Sequence, residues 1–228
     1  IKSTDGGTSF VDYSEGLPAL PVERLLMVEC DSRLMFCGTS VGVYYRTNTM
    51  SQWECFSENL PKVQITGIKY NYCENMLYVS TYGRGMWKTT VPLNTSSSFV
   101  QEITTDETWS ESRQVYNNIL VKSGNTLTVT GTLQMNRGTK IMVEQGAKLS
   151  VIGGTITNGC GEFWEGIEVY GNRNLSQSAT NQGWVYLSNA TIANARNAIA
   201  TRKGGDGWNY NCGMIYAYNS TFLNNRRD

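Results

Sequence analysis

Histidine is absent from all 228 residues, which removes the commonest general base and metal ligand. A Ser-His or Cys-His nucleophilic site is thereby excluded, and any chemistry would fall to carboxylates, Tyr or Lys. Glu162 and Glu165 flank Trp164 in a Gly-bounded loop. Two carboxylates beside an aromatic could in principle serve glycoside hydrolysis, but the same residues read more readily as a solvated loop whose Trp covers the core. Gly204-Gly-Asp-Gly-Trp-Asn-Tyr210 has a calcium-loop composition but lacks the repeated spacing that such loops show. Trp164, Tyr170, Trp208 and Tyr210 are the candidate binding residues, able to stack on sugar rings or simply to pack. No catalytic set, metal site or cofactor motif is expected within the chain.

Composition sets the frame for those residues. Nineteen basic residues balance nineteen acidic ones, and no block of either sign stands out, so a nucleic-acid footprint is not expected. No apolar run is long enough to span a bilayer, and the expectation is of no membrane insertion. Twenty-three glycines and thirteen tyrosines with only four prolines suit many short strands and tight turns. Six scattered cysteines form no CxxC pair. Cys30 and Cys37 flank an expected hairpin turn and could face each other. Cys30 and Cys73 sit at equivalent repeat positions, whereas Cys160 and Cys212 do not.

The elements that must position these residues come from repeats. Ser14-Glu-Gly-Leu-Pro18 recurs as Ser57-Glu-Asn-Leu-Pro61, and Leu34, Phe36 and Gly42 match Leu77, Val79 and Gly85, at a period of 43 residues. Each unit reads as four short strands, the size of one propeller blade. About two such units occupy residues 1–92, fewer than a closed propeller needs, so a longer polypeptide is expected around them. Residues 93–109 read as a linker and the opening of a second architecture, with Trp109 covering its first coil. Over 110–228, bursts such as Leu127/Val129, Leu149/Val151 and Ile167/Val169 alternate with Gly- or Asn-rich corners. Residues 183–194 match 213–224 at an offset of 30, 148–158 match 183–194 at 36, and Leu127 precedes Leu149 by 22. Asn158, Asn194 and Asn224 recur and are expected to bond from coil to coil.

Ser3-Thr-Asp-Gly-Gly-Thr-Ser-Phe10 resembles the Asp-box of bacterial neuraminidase and sortilin-like propellers, with Phe10 in place of Trp. The resemblance implies a structural turn in which Asp5 accepts backbone N–H bonds, Ser3 and Gly7 shape the loop and Phe10 packs beneath it. The stretch from Leu77 to Trp87, Leu-Tyr-Val-Ser-Thr-Tyr-Gly-Arg-Gly-Met-Trp, looks like the closing strands of propellers in large secreted proteins of Bacteroidota. Arg84 within it would be held by blade contacts. The fold class implied is all-β: the last blades of a β-propeller followed by a right-handed parallel β-helix. Such proteins are exported by the type IX system to the cell surface or beyond. The function implied is that of a structural or adhesive segment without catalytic residues of its own. Its expected partners are polysaccharide, surface or secretion-complex proteins, and the remainder of its own longer chain. The alternative is an accessory region of a secreted polysaccharide-active enzyme.

Overall fold

The computed structural model describes residues 1–28, 34–91, 100–205 and 209–227. It is all-β, with both antiparallel and parallel sheets and no α-helix among the described residues. The chain divides into two compact units, Ile1–Ser96 and Ser97–Asp228. The sequence-expected linker around residues 93–98, the turn at Asp31 and Ser32, and Cys30, Asp206, Trp208 and Asp228 lie outside the described residues.

In the first unit, β1 (Val22–Met27), β2 (Met35–Thr39), β3 (Gly42–Arg46) and β4 (Glu54–Cys55) form one antiparallel sheet in chain order. A second antiparallel sheet consists of β5 (Ile65–Asn71), β6 (Met76–Thr81) and β7 (Met86–Thr90). Neither sheet closes into a barrel or ring. The register break between Val22 and Arg24 in the first sheet returns between Ile65 and Gly67 in the second, at the repeat distance. The sheets share one core, in which Phe36, Leu34 and Val43 meet Ile65, Leu77 and Val79. They approach so closely that a Cβ on Gly38 would lie 2.6 Å from the Ile65 side chain.

One detail departs from the gapless repeat. Val79 pairs with Ile68, and the residue that pairs with the counterpart Leu25 is Cys37, not Phe36. The sequence match of Phe36 with Val79 therefore equates side chains on opposite faces. A single-residue slip in β2 relative to β6, compensated in the next turn, exchanges faces because strand alternation has a period of two. Consequently the apolar face that β5 and β6 use for packing has its equivalent in Leu25, Met27, Met35 and Cys37 of the first sheet. There Leu25 and Met27 remain exposed. Cys37 carries a free thiol, so a bridge to Cys30 is not formed; burial pushes this thiol up to about 11, which leaves it inert at neutral pH. Cys55 and Cys212 are also free, while Cys73 and Cys160 are disulfide-bonded.

The second unit contains five successive triplets of strands. These are β8 (Val100–Ile103), β9 (Glu107–Trp109), β10 (Arg113–Val115); β11 (Asn118–Val121), β12 (Thr126–Val129), β13 (Thr132–Met135); β14 (Lys140–Val143), β15 (Lys148–Ile152), β16 (Thr155–Asn158); β17 (Trp164–Val169), β18 (Trp184–Ser188), β19 (Thr191–Ala193); and β20 (Ala195–Ala200), β21 (Met214–Tyr218), β22 (Thr221–Leu223). Each strand from β8 to β19 pairs in parallel with the strand three places on, giving three five-stranded parallel sheets. The sequence offsets reappear as register, in Trp184↔Met214, Lys148↔Trp184 and Leu127↔Leu149.

Register makes like residues meet. Ile119, Ile141, Ile167 and Ile199 form one column through the core, and Ile103, Val121, Val143 and Val169 form another. Trp109 belongs to this core in the first triplet, opposite Val129, with the Arg113 guanidinium 4.2 Å from its ring centroid. Asparagine closes the corners. Asn189, Asn194, Asn219 and Asn224 all adopt left-handed φ angles, which Asn tolerates better than other side chains. Asn224 donates to Asn194 at 2.7 Å and Asn219 to Asn189 at 2.6 Å, so two amide ladders link successive triplets. Asn194 in turn donates to the Thr157 hydroxyl at 2.9 Å rather than to Asn158.

Truncating a column residue removes packing on two neighbours at once. Ile141→Ala is expected to lower unfolding free energy by about 3 kcal/mol in urea titration, whereas Thr128→Ala on the outer face should stay within about 0.5 kcal/mol.

Candidate functional site

The outer face of the β14, β17 and β20 sheet carries a groove of about 300 Å³ lined by Lys140, Glu165, Glu168, Asn197 and Arg202 among others. Simple alternation would place Glu165 and Glu168, three residues apart, on opposite faces of β17. Gly166 prevents this. Its φ of +107° breaks the alternation, so Trp164 turns into the core while Glu165 and Glu168 both reach the groove. No larger residue fits, because a Cβ at 166 would lie 1.5 Å from the Asn197 carbonyl oxygen. The neighbouring β20 adapts with a register shift opposite Gly166 and Ile167.

Both carboxylates are engaged. Lys140 reaches Glu168 at 2.9 Å, the Tyr170 hydroxyl donates to its other oxygen at 3.2 Å, and Arg196 meets Glu165 at 3.3 Å. These partly exposed pairs add little to stability, but they fix the charge pattern of the groove. Glu162 is exposed and does not line it, so the pair that sequence suggested, Glu162 with Glu165, is not the pair the fold gathers. Strand alternation hid Glu168 as a partner of Glu165; the only available signal was the glycine between them.

The aromatic binding candidates are placed differently from expectation. Trp164 is fully buried and its indole N–H donates to the Ala193 carbonyl at 2.9 Å, so it offers no ring face to a ligand. Tyr170 is buried as well, and its ring lies 5.9 Å from that of Tyr210. Lys203 sits over Tyr210 at 4.8 Å, leaving that half-buried ring already covered by a cation. These two tyrosines fasten loops together rather than present a stacking platform. Trp208 lies outside the described residues. Among the described residues no group of three or more Cys, Asp or Glu is assembled to hold a metal.

In the first unit the Asp-box-like turn is built as a closed set of hydrogen bonds. The Ser9 amide and hydroxyl donate to the Asp5 carboxylate at 2.9 and 2.6 Å, and Ser3 donates to it at 2.8 Å while accepting from the Gly7 amide at 2.8 Å. Gly7 has φ +93°. Phe10 touches the turn at Gly7, where an added Cβ would lie 3.9 Å from its ring, but it is 58% exposed and does not anchor the turn to the sheet. The turn is held to the sheet instead by Tyr13, whose carbonyl accepts from the Trp53 indole at 2.7 Å and whose ring carries the Arg46 guanidinium at 3.7 Å. Arg84 is exposed and forms no ion pair among the described residues; its carbonyl accepts from the Trp87 indole at 3.0 Å.

The bonds from Ser9 and Ser3 hold the Asp5 carboxyl down at about 2. A depressed folded-state value means that the turn's stabilisation is present above the ordinary carboxyl range near 3.9 and is lost as pH falls through about 2. Carboxyl NMR titration should find that midpoint, and Ser9→Ala should move it upward. Gly166→Ala, facing both a left-handed φ and a backbone clash, should cost about 2–3 kcal/mol in the same urea assay. No protein-family profile, curated protein or solved structure matches the chain.

Proposed function

We propose that the chain is a segment of a large extracellular or cell-surface protein with a structural or adhesive role, exposing a binding face for glycan or protein partners and carrying no catalyst of its own. In this reading the first unit contributes consecutive blades of a β-propeller of the Asp-box type, and the second is a right-handed parallel β-helix. Right-handedness follows from the general preference of parallel strand crossovers. The resemblance to Bacteroidota surface proteins adds export by the type IX system.

The observation that carries the reading is the state of the groove carboxylates. Glu165 and Glu168, which share the groove, each have a cationic partner, Arg196 and Lys140, that occupies the carboxylate. Support for the blade reading comes from the bare face of Leu25 and Met27, which is equivalent to the face by which β5 and β6 pack. Another sheet of the same pattern, from the remainder of a longer chain, fits there.

The purified chain, incubated with a panel of neutral and acidic polysaccharides, should release neither reducing ends nor unsaturated products. Turnover abolished by Glu165→Gln or Glu168→Gln would overturn the non-catalytic reading.

A further inference from the structure

Two long insertions occupy the same corner of successive triplets. Residues 144–147 suffice to join β14 to β15, but residues 170–183 join β17 to β18 and residues 201–213 join β20 to β21. The first insertion is folded around Gln182, which is fully buried. Its amide nitrogen donates to the carbonyls of Asn172, Leu175 and Ser176, and its oxygen accepts from the Asn172 amide at 2.6 Å. The two insertions are joined by backbone. The Gly171 amide donates to the Tyr210 carbonyl at 3.1 Å, and a Cβ on Gly171 would lie 2.4 Å from atoms of Asn211 and Cys212. These ties hold Gly171 of the first insertion against Tyr210, Asn211 and Cys212 of the second.

Between them lies a cavity of about 650 Å³, which shares Ala200 and Arg202 with the carboxylate groove. Arg173 comes from the first insertion, Thr201, Arg202 and Asn211 from the second, and Ile199 and Ala200 supply an apolar floor. Cys212 completes the wall in a left-handed conformation, φ +80°. Among the described residues no acidic residue lines it. The cations of the neighbouring sheets are spent: Lys122 on Glu144, Lys140 on Glu168, Arg196 on Glu165 and Lys148 over the Trp184 ring. Arg173 and Arg202 have no carboxylate partner among the described residues, and the Thr201 hydroxyl and Asn211 amide have no hydrogen bond there either.

We infer that this cavity binds a saccharide unit bearing an oxyanion, a carboxylate or a sulfate ester. This inference rests on the reading of the second unit as a binding face. Two planar guanidinium forks match a carboxylate or sulfate bidentately. The hydroxyl and amide suit neighbouring sugar hydroxyls, and the apolar floor suits a ring face. The volume falls in the range of small-molecule sites and exceeds what a bare inorganic ion fills. The ion-paired Glu165 and Glu168 next door disfavour a second negative charge in the groove, so the anionic group is steered to the arginine end.

Isothermal titration calorimetry of the purified chain tests this with trigalacturonate, its methyl ester, a sulfated disaccharide and sodium sulfate. One or both charged saccharides should bind and show which oxyanion is preferred. The methyl ester and sodium sulfate should bind far more weakly. Arg173→Ala and Arg202→Ala should each weaken binding by about tenfold or more, and Arg202→Lys should recover only part, because lysine lacks the fork. Arg226→Ala, an exposed arginine outside the cavity, serves as control and should change nothing, and circular dichroism melts should show all variants folded. Absence of binding, equal binding of methyl ester or sulfate, or indifference to both alanine variants would each sink the inference. Cleavage of a bound saccharide, by contrast, would overturn the non-catalytic reading and leave the site standing.

Discussion

The second unit depends on one constraint: in-register parallel pairing forces equivalent side chains to meet from one triplet to the next. The column of Ile119, Ile141, Ile167 and Ile199 is the result. Each member fills space left by its neighbours on either side, and no single triplet has a core of its own. Stability is then a sum of contacts between neighbours, and the β-branched residues that fit a pleated surface recur because each meets its own kind. The corners obey the same rule. Asn194 and Asn224 adopt the same left-handed conformation because each terminates the same short strand, and their amides bond because that conformation repeats.

This repetition is why so much of the architecture was legible beforehand. An offset of 22, 30 or 36 residues in sequence is a hydrogen-bonded register in space, whatever the length of the loop between. Legibility failed where a local irregularity broke the periodic rule. In the first unit, one residue less before β6 and one more after it leave the overall period intact while moving Val79 to the face opposite that of Phe36. At Gly166, a single left-handed residue reverses the sense of alternation, putting Trp164 inside and Glu165 outside. Neither event changes composition or spacing in a way that an alignment registers.

The groove and its neighbouring cavity were less visible for a related reason. Aromatic residues in long loops draw attention, yet Tyr170 and Tyr210 were consumed in fastening those loops, and Trp164 in filling the core. The side chains left for solvent were Arg173 and Arg202, which carry no periodic signal and acquire meaning only when two insertions are seen to share a corner. Charge pairing has to be read in space as well: Lys140 and Glu168 stand 28 residues apart in sequence.

Confining both insertions to one corner separates two kinds of information in the chain. Residues that keep the winding upright face inward and are constrained by their counterparts above and below. Residues that meet the surroundings sit on loops whose length and content the strands do not dictate. Gln182 shows how the separation is maintained, since it lets fourteen residues from Tyr170 to Gly183 leave and rejoin the same register without disturbing β17 or β18. Such a scaffold can exchange one recognition surface for another by rewriting a corner, with the columns beneath it unaltered.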